Sequence, residues 1–121
     1  MTQEDKDLLL KDLCARLPYG VKCKYNDGVI VNTLSVNFFW EQIEGWEKYV
    51  NHTLKYDVED IKPYLFPLSS MTWEQECQYR EVIASSLNHY EVYDWFNKNH
   101  FDYRGLIEKG LAIDATGKNI Y

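Results

Sequence analysis

Apolar and polar residues alternate in the first half of the chain and recur at helical spacing in the second half. Residues 21–25 alternate apolar and lysine side chains, and residues 29–33 form a run rich in β-branched side chains. Between them, Asn26-Asp27-Gly28 supplies the residues of a tight turn, so the pattern predicts an antiparallel hairpin. From Thr72 to Leu111, apolar and aromatic residues recur every three to four positions, as in helices. This order predicts an α+β fold.

The chain begins with a predicted helix over residues 1–17. Thr2 is suited to cap it, because its hydroxyl can accept a hydrogen bond from a backbone N–H of the first turn. The apolar positions that predict its packing face are Leu9, Leu10, Leu13, Cys14 and Leu17. Pro18 and Gly20 then end the helix.

Residues 21–66 are predicted to be mainly β. After the hairpin, residues 34–40 are predicted to form a third strand, Gly45 to interrupt the pattern, and residues 46–56 to form a fourth strand. Three to five short strands after a helix favour a small antiparallel sheet, either SH3-like or partly closed.

Residues 72–111 are predicted to be mainly helical. Thr72 and Gln75 form a capping box at the start of the first of these helices. A short aromatic helix is predicted over residues 90–98, and a final helix over residues 103–109, capped by Asp102 and closed by Gly110. Residues 112–121 are predicted to be an extended or frayed tail, and the whole chain, 1–121, to be a single domain.

Composition narrows the classes of function. The 121 residues carry a formal net charge of −6, which disfavours nucleic-acid binding because an acidic surface repels phosphate. The polar, acidic N-terminus does not resemble a signal peptide, and no run of 18 apolar residues predicts a membrane span. A cytoplasmic protein without membrane contact is therefore expected. Aromatic residues make up 16% of the chain, and ten of them are tyrosines, which are common in binding surfaces as well as in cores.

Catalytic and metal-binding motifs are not recognisable. Cys14, Cys23 and Cys77 form no CxxC pair, and the first two are expected to be buried. His89 and His100 lie eleven positions apart, which is not a spacing of helical metal ligands. Neither a phosphate-binding loop nor a nucleophile elbow is present. The sequence therefore predicts no catalytic residue, no metal and no cofactor.

Aromatic and acidic residues provide the candidate contacts with a partner. Residues 90–103 hold six aromatic side chains, more than one face of a short helix can bury, so Tyr93 and Trp95 are candidates for partner contact. Glu41, Glu44 and Glu47 form an acidic cluster that could also contact a partner.

Three segments of the sequence resemble a known family. They are Leu-Pro-Tyr-Gly-Val-Lys-Cys-Lys at 17–24, Val-Glu-Asp-Ile-Lys-Pro-Tyr-Leu at 58–65 with Pro-Leu-Ser-Ser-Met-Thr at 67–72, and His-Phe-Asp-Tyr-Arg-Gly-Leu-Ile-Glu-Lys-Gly-Leu at 100–111. They resemble small uncharacterised proteins of gut bacteria (Bacteroides-type) and of their phages or other mobile elements. The resemblance implies a bacterial or phage setting, and it assigns no activity and no site residue.

The expected function is that of a small non-enzymatic protein-interaction module whose partner is another protein. The alternative is a small-molecule-binding domain or a cryptic enzyme. Its pocket would lie between the sheet and the C-terminal helices, lined by Tyr64, Trp73, Tyr93 and Trp95. Nucleic-acid binding is a third and weaker hypothesis.

Overall fold

The computed structural model describes residues 1–26, 28–47, 52–85 and 89–121. These residues form an N-terminal helix, a mixed sheet and two C-terminal helices, which confirms the predicted α+β class. The helices are α1 Gln3–Arg16, α2 Trp73–Ser85 and α3 His89–Lys98. The strands are β1 Lys22–Tyr25, β2 Val29–Asn37, β3 Gln42–Glu47, β4 Leu54–Asp57, β5 Ile61–Pro67, β6 Phe101–Asp102 and β7 Ile113–Asp114.

The first four strands form an antiparallel meander, and β5 returns to pair with the free side of β1. The strand order is β4-β3-β2-β1-β5-β6, and β7 also pairs with β5. One turn of 3-10 helix, Val58–Asp60, connects β4 to β5. Because β6 and β7 pair with β5 in parallel register, the sheet is mixed rather than wholly antiparallel.

Helix α1 packs on the sheet through a stripe that is only partly apolar. Thr2 caps the helix as expected, because its Oγ1 accepts a hydrogen bond from the Asp5 N–H at 3.1 Å. The buried apolar residues of the core are Leu9, Leu10, Leu13, Val21, Cys23, Val31, Ile43, Tyr56, Val58, Ile61, Leu65, Leu106, Leu111 and Ala112. Cys14 is exposed, so its predicted burial is wrong, whereas Asp12 and Arg16 of the same helix are fully buried.

The β2–β3 hairpin differs from the predicted strands. Strand β2 continues without a break to Asn37, and residues 38–41 form the turn, so a separate third strand over 34–40 is wrong. Gly45 lies inside β3, opposite Thr33, and does not interrupt it. The predicted fourth strand over 46–56 is wrong, because Trp46 and Glu47 belong to β3 while residues 54–56 belong to β4. Its residues 48–51, and Asp27 of the first turn, lie outside the described residues.

Gly45 is required by packing, so replacing it with alanine is expected to destabilise the protein. A Cβ atom at this position would lie 2.1 Å from Val31 Cγ1 and 3.3 Å from the Asn32 carbonyl oxygen. We expect Gly45→Ala to lower the free energy of unfolding by about 2–3 kcal/mol, because buried side chains and backbone must move. Urea denaturation followed by circular dichroism measures the loss.

Val31→Ala provides the control for this clash, because it removes the nearest atom. The double variant Gly45→Ala, Val31→Ala is expected to be more stable than the sum of the two single losses predicts. Strictly additive losses would show that the clash with Val31 is not the cause.

The C-terminal half contains the predicted capping box but one helix fewer than the sequence predicts. The Thr72 N–H donates to Gln75 Oε1 at 2.9 Å, and the Gln75 N–H donates to Thr72 Oγ1 at 3.2 Å. The third predicted helix, over residues 103–109, is wrong, since these residues form turns. Gly105 has a φ of +75°, a left-handed conformation that an α-helix does not contain. The Asp102 carboxylate accepts hydrogen bonds from the N–H groups of Leu106 and Ile107, which follow Gly105, so it holds a turn there.

The C-terminal tail is anchored rather than frayed. The Tyr121 hydroxyl accepts a hydrogen bond from the Lys22 N–H at 2.9 Å and donates one to the Tyr64 carbonyl oxygen at 2.9 Å. Lys22 Nζ donates to the Ile120 carbonyl oxygen at 2.9 Å. The Tyr121 ring stacks on His100, with 3.5 Å between the ring centroids. The tail is therefore fixed across β1 and β5.

His100 is expected to make the protein less stable in acid. Burial, followed by the positive charges of Arg16 and Lys22, lowers the pKa of His100 from 6.5 to about 4. Because the unfolded chain binds the proton more tightly, stability is full above pH 6.5 and falls as the pH decreases towards 4. The ring is partly exposed, so we expect a loss of about 1–2 kcal/mol from this group.

The matched variant is His100→Asn, because asparagine tolerates the positive φ of 61° at this position. Chemical denaturation of both proteins between pH 7 and pH 4 should show a smaller loss for the variant. Equal pH dependence of the two proteins would contradict the assignment to His100.

Candidate protein-interaction surface

The turn between β2 and β3 exposes three consecutive aromatic side chains, Phe38, Phe39 and Trp40, which we call the aromatic tip. Phe38 is 52% exposed, Phe39 81% and Trp40 66%. The rings of Phe39 and Trp40 meet edge to face, with 5.0 Å between their centroids. Transfer of aromatic side chains from water into an apolar environment is strongly favourable. Three such side chains exposed together therefore indicate a surface that contacts a partner.

The local sequence fixes the aromatic tip in place. Asn37 ends β2, and its Oδ1 accepts a hydrogen bond from the Trp40 N–H at 3.0 Å, which closes the turn. Glu41 then has a φ of 53°, a left-handed conformation that reverses the chain into β3. The hairpin also exposes two further apolar side chains, Leu34 at an irregularity in β2 and Trp46 on β3.

The predicted acidic cluster does not form one solvated patch. Lys6 of α1 lies between two carboxylates, with its Nζ 3.7 Å from Glu41 Oε2 and 2.9 Å from Glu59 Oε1. The hydrogen bond with Glu59 is the main cause that raises the pKa of Lys6 and lowers the pKa of Glu59. Lys6 thereby connects α1 to the turn of the β2–β3 hairpin and to the 3-10 turn between β4 and β5.

The other two glutamates of the cluster lie on β3. Glu44 is exposed and is paired in register with Lys55 of β4. Glu47 is half-buried, and its Oε1 accepts a short hydrogen bond from the Tyr56 hydroxyl. Burial, followed by this bond, raises the pKa of Tyr56 well above its usual value. Of the three glutamates, Glu44 is the exposed one, and it lies on the same hairpin as the aromatic tip.

Tyr93 and Trp95, the two aromatic residues predicted to contact a partner, differ in their surroundings. Trp95 is half-buried and stacks on Phe101, with 5.6 Å between centroids, and its ring also contacts Tyr79 and Phe96. Its role is therefore to attach α2 and α3 to the sheet. Tyr93 is 47% exposed, and its ring lies 5.2 Å from that of Tyr103. Tyr93 remains available to a ligand or a partner, on a different element from the aromatic tip.

A groove of about 850 Å³ lies between α1, α3 and the segment after β6. Its lining residues are Ala15, Tyr90, Glu91, Tyr93, Asp94, Asn97, Tyr103 and Arg104. Of the four residues predicted to line a pocket, Tyr93 is the one in this groove. Tyr64 is buried under the tail, Trp95 packs in the aromatic cluster, and Trp73 is 77% exposed at the start of α2.

The three cysteines differ in exposure, and Cys14 is exposed on α1. Cys23 is buried, and burial raises the pKa of its thiol to about 12, which disfavours the nucleophilic thiolate. Cys77 is half-buried on α2. Within the described residues, no three His, Cys, Asp or Glu side chains come together in a way that could hold a metal ion. None of the described helices is long and apolar enough to span a membrane.

Comparison of the chain with protein-family models, with curated protein sequences and with solved structures finds no match. The resemblance of the segments at 17–24, 58–72 and 100–111 to small proteins of gut bacteria and their phages therefore stays a prediction.

The sequence pattern does not predict the aromatic tip, because residues 34–40 are predicted to form a strand, in which alternate aromatic side chains would be buried. One local signal was present. Asn37 precedes the aromatic run, and asparagine commonly begins turns by accepting a hydrogen bond from a following N–H.

Proposed function

We propose that this protein is a small non-enzymatic protein-interaction module that binds a partner protein through its aromatic tip. One observation carries the proposal: Phe38, Phe39 and Trp40 project from a closed turn with more than half of each side chain exposed. Aromatic side chains, tryptophan above all, are enriched among the residues that contribute most to protein–protein affinity.

The turn is fixed before binding, which favours affinity. The hydrogen bond from the Trp40 N–H to Asn37 and the ion pairs of Lys6 hold the hairpin, so little backbone freedom remains to be lost on association. The fold supports the same function. We propose that the meander β1–β4, with β5 returning to β1 after a turn of 3-10 helix, is an SH3-like, partly closed barrel that serves as a rigid base for the tip.

Charge favours a protein partner over the other classes. The chain carries a net charge of −6, and Glu44 is exposed on the hairpin itself, so both phosphate backbones and anionic membranes would be repelled. The complementary surface is an apolar pocket with basic residues at its rim. With the bacterial or phage resemblance, this supports a host-directed inhibitor or adaptor that acts in the cytoplasm.

Capture from a bacterial extract tests the proposal. Immobilised wild-type protein and the tip variant Phe39→Ser, Trp40→Ser are incubated with nuclease-treated extract of a Bacteroides-type host, and bound proteins are compared by mass spectrometry. We expect a protein that the wild type retains and the tip variant does not. Equal retention by both proteins, or retention that nuclease abolishes, would contradict the proposal.

The alternative function, ligand binding by a pocket, is favoured by the groove at α3. Its volume of about 850 Å³ lies within the range of small-molecule sites, and it combines aromatic with charged side chains. The groove and the aromatic tip are on different elements, so one protein can carry both.

A further inference from the structure

The groove between α1, α3 and the segment after β6 has an aromatic wall. Tyr93 and Tyr103 pack against each other with 5.2 Å between centroids and an angle of 32° between their planes. Arg16 and Arg104 lie 5.4 Å and 5.0 Å from the Tyr103 ring, and Phe96 stacks on it at 5.5 Å. Tyr103 is thus covered by protein. The aromatic side chains of the groove lining that are exposed are Tyr93, at 47%, and Tyr90, at 80%, and Tyr93 is the one that packs against Tyr103.

Two carboxylates of α3 line the same groove. Glu91 and Asp94 are three residues apart, so they lie on neighbouring positions of one helix face. Asp94 is held by a short hydrogen bond that its Oδ1 accepts from the Tyr19 hydroxyl. That bond is the main cause that raises the pKa of Tyr19, because the phenol must keep its proton to donate.

Arg104, the cation of the groove lining, forms an ion pair and one hydrogen bond with protein groups, while its buried Nε has no hydrogen-bond partner among the described residues. Its Nε lies 3.2 Å from Asp12 Oδ1, and its Nη2 donates to the Tyr103 hydroxyl at 3.2 Å. Asp12 is also paired with the buried Arg16. Together with the lining residues Glu91, Asp94 and Arg104, this makes three carboxylates and two guanidinium groups at the groove. The groove therefore keeps one net negative charge beside an exposed aromatic face.

We propose that this groove binds an organic cation, an ammonium or guanidinium group that lies on the Tyr93 ring and pairs with Glu91 and Asp94. Cations are attracted to the faces of aromatic rings, and a carboxylate beside the ring adds a charge-assisted hydrogen bond. Ala15, the small residue that α1 contributes to the groove, leaves room for the alkyl chain that carries such a group. The cation can belong to a free small molecule or to a basic side chain of a peptide, and this site goes beyond the function of the aromatic tip.

The test uses two probes of the same shape and different charge. Acetyl-arginine-amide is titrated into ¹⁵N-labelled protein, and acetyl-citrulline-amide, its neutral isostere, is the control. We expect saturable amide shifts in α3 and at Tyr103–Arg104 with arginine, and an affinity at least about tenfold weaker with citrulline. N-acetylagmatine, which carries the same single charge without a peptide backbone, distinguishes the two sources. Tighter binding of N-acetylagmatine indicates a free small molecule, and tighter binding of the capped arginine indicates a peptide.

Variants locate the binding to the groove. Glu91→Gln and Asp94→Asn are each expected to weaken arginine binding at least about fivefold, whereas Glu74→Gln, at an exposed acid of α2, leaves it unchanged. Ala15→Phe fills the groove and should abolish binding while the spectrum stays folded. Equal binding of citrulline, shifts outside the groove, or no shifts up to about 20 mM probe would overturn the proposal. The tip variant Phe39→Ser, Trp40→Ser should bind arginine with unchanged affinity. Failure of the groove proposal can therefore be distinguished from failure of the proposed function of the tip.

Discussion

Replacing Asp12 by asparagine should destabilise the protein more than any other single change considered, by about 3–5 kcal/mol. Asp12 and Arg16 are both fully buried, and the guanidinium Nε and Nη2 donate to the two carboxylate oxygens at 2.8 Å and 3.1 Å. Arg16 Nη2 also donates to the Phe101 carbonyl oxygen at 2.6 Å, and Arg104 Nε lies 3.2 Å from Asp12. Asp12→Asn leaves the fully buried Arg16 without its counter-ion and removes the carboxylate beside the partly exposed Arg104. Urea denaturation at pH 7 measures the loss.

The double variant Asp12→Leu, Arg16→Met keeps this prediction testable if the single variant does not fold. Removing both charges avoids a buried uncompensated ion, so the double variant should lose less stability than the sum of Asp12→Leu and Arg16→Met. A loss below about 1 kcal/mol for Asp12→Asn would show that the pair is hydrated and not buried.

Replacing the aromatic side chains of the tip should strongly weaken partner binding without loss of stability. Phe39→Ala and Trp40→Ala together are expected to weaken the affinity for the captured protein at least about 100-fold, since each removes a side chain of the kind that dominates interfaces. Both side chains are exposed, so the free energy of unfolding should change by less than about 0.5 kcal/mol. Isothermal calorimetry and thermal denaturation measure the two quantities.

Trp73→Ala is the matched control for this experiment. Trp73 is 77% exposed, as accessible as the tip residues, but it begins α2 on another part of the molecule. Its removal should leave the affinity unchanged. If Trp73→Ala weakens binding as much as the tip variants do, exposed aromatic surface in general is responsible and the tip is not a specific site.

Local signals of the sequence predicted the elements whose cause is local. Thr2, Thr72 and the alternation in β1 act within a few residues, and each appears in the structure as expected. The errors have tertiary causes. Asp12 and Arg16 have the spacing of an exposed helix pair. Residues far along the chain, Phe101 and Arg104 among them, contact this pair in the folded protein, where it is buried. The position of Gly45 in β3 requires glycine, because Val31 fills the space where a side chain would lie.

The candidate sites were less predictable than the fold. The high number of aromatic residues over 90–103 predicts both Tyr93 and Trp95 as partner contacts. Tyr93 lines the groove, whereas Trp95 packs against Phe101. Density alone cannot distinguish a half-buried ring from an exposed one, because that depends on how α3 is rotated on the sheet. The aromatic tip is difficult to predict because apolar residues 38–40 suit a strand as well as a turn. In the structure a side-chain hydrogen bond, from the Trp40 N–H to Asn37, closes the turn.

Photo-crosslinking in living cells tests most directly whether the aromatic tip contacts a partner protein. Phe39 is replaced by p-benzoylphenylalanine in one protein and Trp73 in another, and adducts are compared after irradiation. We expect a discrete adduct with one host protein from position 39 and none from position 73. No adduct from position 39, or the same adducts from both positions, would contradict the proposed function.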